Sequence, residues 1–96
     1  MTIVWSVQSQ DDLREIRKFI ARDAPDTATA YIRRLRRSIN RLRSFPEAGV
    51  VVTEAANPKI REIYFGQYRI IYEITSARIE ILTIYHSARL LDETEF

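Results

Sequence analysis

The chain has 96 residues, 15 Lys and Arg against 13 Asp and Glu, no cysteine, one histidine, two glycines and three prolines. That length fits a single domain over residues 1–96, one that buries only about 60% of its unfolded surface and so needs a compact core. The composition excludes a disulfide framework, a thiolate or His-rich metal site and a Gly-rich phosphate cradle, so no cofactor is expected. No apolar run reaches the roughly 18 residues of a membrane span, and no basic-then-apolar leader opens the chain, so a cytoplasmic protein is expected. The net charge of +2 conceals a polarised molecule: residues 14–43 hold ten basic residues and three acids, while residues 44–96 hold five and eight.

Residues 2–8 alternate, with Ile3, Trp5 and Val7 on one side, and predict a strand. Ser9 predicts an N-cap, and from about Gln10 the period becomes helical, with Leu13, Ile16, Phe19 and Ile20 on one face. Pro25 suits the first turn of a second helix, and Asp26 suits the positive end of its dipole. Ala28, Tyr31, Ile32, Leu35, Ile39 and Leu42 form its apolar stripe, and Pro46 ends it. Two helices joined by so short a link predict an antiparallel hairpin. Residues 46–59 lack a period and predict an ordered loop, extended near 50–53. Three strands follow, over 60–65, 68–75 and 78–86, broken by Gly66-Gln67 and Ser76-Ala77. Gly in the first turn position predicts a type II′ hairpin. The predicted class is α+β, in the order β-α-α-β-β-β, with a small, mainly antiparallel sheet and the helical hairpin packed on one face.

Pairing Phe65 with Tyr68 and Thr75 with Arg78 puts Ile63, Phe65, Tyr68, Ile70, Tyr72, Ile74, Ile79, Ile81, Thr83 and Tyr85 on the helix-bearing face. The other face then carries Glu62, Tyr64, Arg69, Ile71, Glu73, Glu80, Leu82, Ile84 and His86. It is too apolar for a solvated face. A cover is expected there, from Leu90, Leu91 and Phe96 of the tail or from a partner. On that face Arg69 and His86 form the candidate catalytic pair, Arg to hold a phosphate and His to move protons, as in ribose 2′-OH attack on RNA. The plainer reading is a half-buried strand-end His and a solvated Arg–Glu pair. The second helix places six Arg and one Asn on seven of its non-core positions, with no acid between Asp26 and Glu47. An ordinary solvated face mixes signs. Arg33, Arg37 and Arg41 therefore read as a functional basic face, toward nucleic acid or an acidic protein. Trp5, Tyr31, Phe45, Tyr68 and Tyr72 read as core.

Three phrases carry a family resemblance: Phe45-Pro46-Glu47-Ala48-Gly49, the strand pair from Ile60 to Ile74 with its Tyr68-Arg69-Ile70-Ile71-Tyr72, and Ile79 to Tyr85 ending His86-Ser87-Ala88-Arg89. In this order they resemble toxins of the RelE/ParE superfamily of bacterial type II toxin–antitoxin modules, over nearly the whole chain. RelE-like members resemble ribosome-dependent ribonucleases with lysines on the strand before the hairpin. Arg69 matches their arginine, but Glu62 and Tyr64 stand near the lysine positions, and an acid there repels RNA phosphate. ParE-like members are more similar through Phe-Pro-x-x-Gly and the His-Ser-Ala-Arg ending, and their implied target is DNA gyrase. Other branches implicate a C-terminal His or Tyr with the Arg, which keeps His86, Tyr85 and cleavage of mRNA on the ribosome in view. A non-toxic basic adaptor is the third reading. Partners implied by the resemblance are a cognate antitoxin and gyrase, or ribosome and mRNA. The surfaces expected to meet them are Glu62, Tyr64, Ile71, Leu82, Ile84, Tyr85 and Arg89, with Arg33, Arg37 and Arg41.

Overall fold

The computed structural model describes residues 1–88. Strand β1 is Thr2–Trp5 and helix α1 is Val7–Ala21. Ser6, not Ser9, caps α1: its Oγ accepts from the Ser9 amide at 3.0 Å. Ser9 is fully buried one turn later, its hydroxyl donating to the Ser6 carbonyl at 2.9 Å. The strand thus ends earlier and the helix begins earlier than the alternation of Val7 suggested, and the first turn holds no acid. Helix α2, Pro25–Asn40, begins at the proline and buries Ala28, Ile32, Leu35 and Ile39. A single 3₁₀ turn, Arg41–Arg43, then buries Leu42. Phe19 sits at the edge of the α1 stripe, one helical step past Ile16, and is 62% exposed rather than buried.

The loop expected over 46–59 contains a two-residue strand, β2 (Val50–Val51), ahead of β3 (Ile60–Phe65), β4 (Tyr68–Ile74) and β5 (Arg78–His86). The α+β class therefore holds with one added strand. The five-stranded sheet has the order β1-β5-β4-β3-β2, parallel between β1 and β5 and antiparallel elsewhere. Gly66 has φ +57 and Gln67 does not share the positive φ, which matches the type II′ turn. The expected register holds through Phe65↔Tyr68, Ile63↔Ile70, Arg61↔Tyr72, Ile74↔Ile79 and Tyr72↔Ile81.

Beyond Ile81 the register shifts: Ile71 pairs with Thr83, Ile70 with Ile84, Arg69 with Tyr85 and Tyr68 with His86. Leu82 is the extra residue of a β-bulge, which reverses the face of everything after it. Side chains from the α1 entry hold the bulge. Ser6 Oγ donates to the Leu82 carbonyl at 2.8 Å, and one Asp12 oxygen accepts from Thr83 Oγ1 at 2.7 Å and the Ile84 amide at 2.9 Å. Backbone groups that would otherwise be orphaned beyond the end of β1 are satisfied this way.

The two helices cover one face of the sheet. Leu13, Ile16, Ile32, Leu35, Ile39 and Leu42 meet Ile70, Tyr72, Ile79, Ile81 and Ile84 there. Ile84 belongs to this core and Tyr85 to the opposite face, the reverse of the expectation from strict alternation. The second face has its own small core: Val52, Ile60, Ile71 and Tyr85, with Ala55 and Leu82 against it. Its cover is supplied by the segment after β2, whose Val52 is 1% exposed and whose next residues, Thr53–Ala55, form one 3₁₀ turn. Leu90, Leu91 and Phe96, the expected tail cover, lie outside the described residues, as does Arg89. Ile71, Ile84 and Tyr85 are buried and Leu82 is half-buried, so the exposed apolar patch expected from them is already filled.

Candidate functional site

Arg69 lies on the second face near the start of β4, the central strand of the sheet, with its side chain 11% exposed. Glu62, diagonal to it across the hairpin and opposite Ile71, is 7% exposed. Arg69 Nε donates to Glu62 Oε2 at 2.9 Å, and its Nη2 closes a second bond to the same oxygen. Nη1 and Nη2 also reach the Glu54 carboxylate, at 3.2 and 3.4 Å. Tyr64 donates its hydroxyl to the other Glu62 oxygen at 3.0 Å. Burial opposes the charge on Arg69, but the bonds to Glu62 and Glu54 outweigh it and raise its pKa. The hydrogen bond from Arg69 is the main reason that Glu54 titrates below the usual carboxylate range. The bond to Glu62 raises the Tyr64 pKa. One guanidinium thus faces two carboxylates, and its donors point at them rather than at open solvent.

His86 is not part of that cluster. The bulge at Leu82 turns it to the face of Tyr68, whose ring it meets edge-on at 5.6 Å. Its Nδ1 accepts from the Ala88 amide at 3.2 Å, and its Nε2 lies 3.1 Å from Gln67 Oε1. An Nδ1 that accepts implies the proton on Nε2, donated to Gln67. Arg69 and His86 therefore stand on opposite faces of neighbouring strands, and the pair expected to share one site does not meet.

A cleft of about 660 Å³ opens between the C-terminal end of α2 and the edge of β3. Arg41, Phe45, Val50, Glu62 and Tyr64 line it. Phe45, expected in the core, is 65% exposed here, with Val50 at 62% and Tyr64 at 57%. Pro46 and the Tyr72 hydroxyl explain Phe45: the hydroxyl donates to the Pro46 carbonyl at 2.8 Å and accepts from the Gly49 amide at 2.9 Å. That clamp ties down the backbone of the loop and leaves the ring outside. Strand β2 pairs only with Arg61 and Glu62, so from Ile63 to Phe65 the edge of β3 turned away from β4 has no neighbour strand among the described residues. Backbone groups of Tyr64, which alternate away from β4, lie on that open edge.

A family model described as the ParE toxin of the type II toxin–antitoxin system, parDE, matches residues 3–91. The chain belongs to the ParE toxin family. Among solved structures, the chromosomal ParDE system from P. aeruginosa superposes with a TM-score of 0.75 at 17% identity, covering 90% of this chain and 95% of that one. The RelBE2 toxin–antitoxin complex from Mycobacterium tuberculosis superposes with a TM-score of 0.62 at 18% identity, covering 88% and 95%. Both likenesses speak to the fold. No curated protein sequence matches. Two phrases that carried the ParE resemblance are one physical unit. Tyr72 ends the Tyr-Arg-Ile-Ile-Tyr strand, and its hydroxyl holds both ends of the Pro-Glu-Ala-Gly turn. Gly49 has no substitute, since a Cβ there would stand 2.4 Å from the Glu62 carbonyl oxygen and 2.7 Å from the Tyr72 hydroxyl. Arg61 seals the same turn, donating to the Gly49 carbonyl at 2.8 Å.

Three contributors escaped the sequence reading of this ParE toxin. Glu54 sat in a stretch without a period, and its reach to Arg69 depends on the turn after β2. Asp12 lies in α1 with no local mark of its role, although it serves β5 across 72 residues of sequence. Phe45 reads as core because the aromatics are not interleaved with the arginines, yet it lines the open cleft. For Glu54 a usable signal existed, because the buried Glu62 left half of the Arg69 fork without an acceptor.

Proposed function

We propose that this ParE-family toxin poisons DNA gyrase by binding it, without hydrolysing RNA, and that a cognate antitoxin neutralises it. The state of Arg69 carries the reading. A ribonuclease of this fold needs an arginine free to take a phosphate, with a proton-transfer group beside it. Here the guanidinium is bonded to Glu62 and Glu54, and His86 faces the other way. A phosphate approaching Arg69 would meet two carboxylates first. The cleft beside β3 supports the antitoxin part of the proposal. It joins exposed Phe45, Val50 and Tyr64 to a strand edge, which together suit an extended segment carrying apolar side chains.

Purified protein added to a gyrase supercoiling reaction and to a translating extract with a reporter message tests the proposal. Loss of supercoiling with intact message is expected. Cleaved message that Arg69→Ala or His86→Ala abolishes would overturn it.

A further inference from the structure

The arginines of α2 and the turn after it are the largest charged feature left over from the site above, which takes up only Arg41, at the rim of its cleft. Arg33, Arg34, Arg36 and Arg37 on the helix, and Arg41 and Arg43 just after it, are all exposed. None of them forms an ion pair among the described residues. Arg14, Arg69 and Arg78 each do, with Asp11, Glu62 and Glu54, and Glu80. Arg36 leaves the group, lying over the Trp5 ring at 5.5 Å. Arg33, Arg37 and Arg41 recur at four-residue intervals. Such spacing stacks them on successive turns, about 6 Å apart and about 12 Å from first to last, on the side away from the buried Leu35 and Ile39. Arg34 flanks the row, and Asp26 is the one acid in α2.

From this we infer that the outer face of α2 binds the phosphate backbone of duplex DNA without regard to sequence. The charge calls for a polyanion, and the rest of the face selects among polyanions. A protein surface would need apolar anchors at the centre of its footprint. None of the large exposed apolar side chains of this chain lies on α2. A single strand would need aromatic side chains on which its bases stack. Tyr31, the one aromatic of the helix, is turned into the core, edge-on to Phe65 at 5.2 Å. What remains is a convex rod with a straight row of guanidinium groups, able to lie along a phosphate rail and unable to read bases. Phosphate contacts of this kind position a protein on a duplex and carry no sequence information. The inference goes beyond the gyrase reading and is tested without gyrase.

Fluorescence anisotropy with a labelled random-sequence DNA duplex of about 20 base pairs, titrated with the full chain from about 50 mM salt upward, measures it. Saturable binding is expected, with log K falling against log salt at a slope of roughly −3, near −0.9 for each phosphate neutralised. Replacing Arg33, Arg37 and Arg41 together by Gln is expected to weaken binding at least tenfold at about 50 mM salt and to remove most of that slope. The matching triple Lys variant should keep both, because the requirement is charge. All three positions are exposed, and an unchanged cooperative melt verifies that each variant is folded. Absence of binding by the native chain overturns the inference, as does equal binding by the triple Gln variant. Tighter binding to duplex RNA or to polyglutamate overturns it as well. None of these results bears on supercoiling inhibition, so the two readings fail separately.

Discussion

Arg69 and the arginines of α2 carry the same charge under opposite conditions. Arg69 is 9% exposed, lies in the middle of a sheet and has two carboxylates within hydrogen-bond distance. Arg33 and Arg37 are exposed on one helix and have no acidic partner among the described residues. Counting arginines would treat them alike, yet only the second group can offer charge to another molecule. Arg69 is committed to its own fold: it fastens the turn that carries Glu54 over the small core of Val52, Ile71 and Tyr85. In a buried pair, the attraction has to offset the loss of hydration on both partners, so losing either partner leaves the other stranded.

The largest test of that contrast is Arg69→Ala, which leaves the Glu62 carboxylate buried and uncompensated. Urea unfolding should show a loss of about 3–5 kcal/mol. Replacing both members, as Arg69→Met with Glu62→Leu, should recover most of that loss, because it removes the buried charges together. If the double variant is as unstable as the single one, Arg69 supports the fold by packing rather than by charge. Glu54→Gln is a smaller change on a pair that is partly open to solvent, and should cost at most about 1 kcal/mol. Its sharper signature is in pH. The Glu54 pKa is depressed in the folded state, so its contribution is present above the ordinary carboxylate pKa and is lost as pH falls through the lower folded value. The acid limb of a stability–pH curve should therefore be shallower in Glu54→Gln than in the native chain. At the small end, Arg33→Gln and Arg37→Gln should each move stability by no more than about 0.5 kcal/mol, since neither breaks a bond inside the molecule. A loss above 1 kcal/mol at either would erase the contrast.

The legible part of this fold is the part governed by short-range pattern. Helical stripes, the Pro25 start and the turns at Gly66-Gln67 and Ser76-Ala77 follow from local chemistry, and the two turns set three and two of the expected strand pairs. The bulge at Leu82 has no such mark: no glycine or proline stands near it. Its partners, Ser6 and Asp12, lie more than 70 residues away in sequence. One extra residue was enough to exchange Ile84 with Tyr85 and to carry His86 away from Arg69, because side chains alternate with a period of two. Similarly, the cover of the second face came from a stretch with no period, where Val52 alone reaches the core. The candidate site was legible as a set of residue types, and not as a set of neighbours.

The parallel pairing of β1 with β5 has a consequence for how the molecule comes into being. Thr2 lies beside Arg78 and Trp5 beside Ile81, so β1 has its partner in β5, which is made after both helices and the three other strands. The helix-covered core that buries Ile81 and Ile84 waits for the same event. A nascent chain leaving the ribosome holds β1 and the helical hairpin without the strand that locks them together. Closure of the sheet at its β1 edge is thereby deferred until β5 has been made.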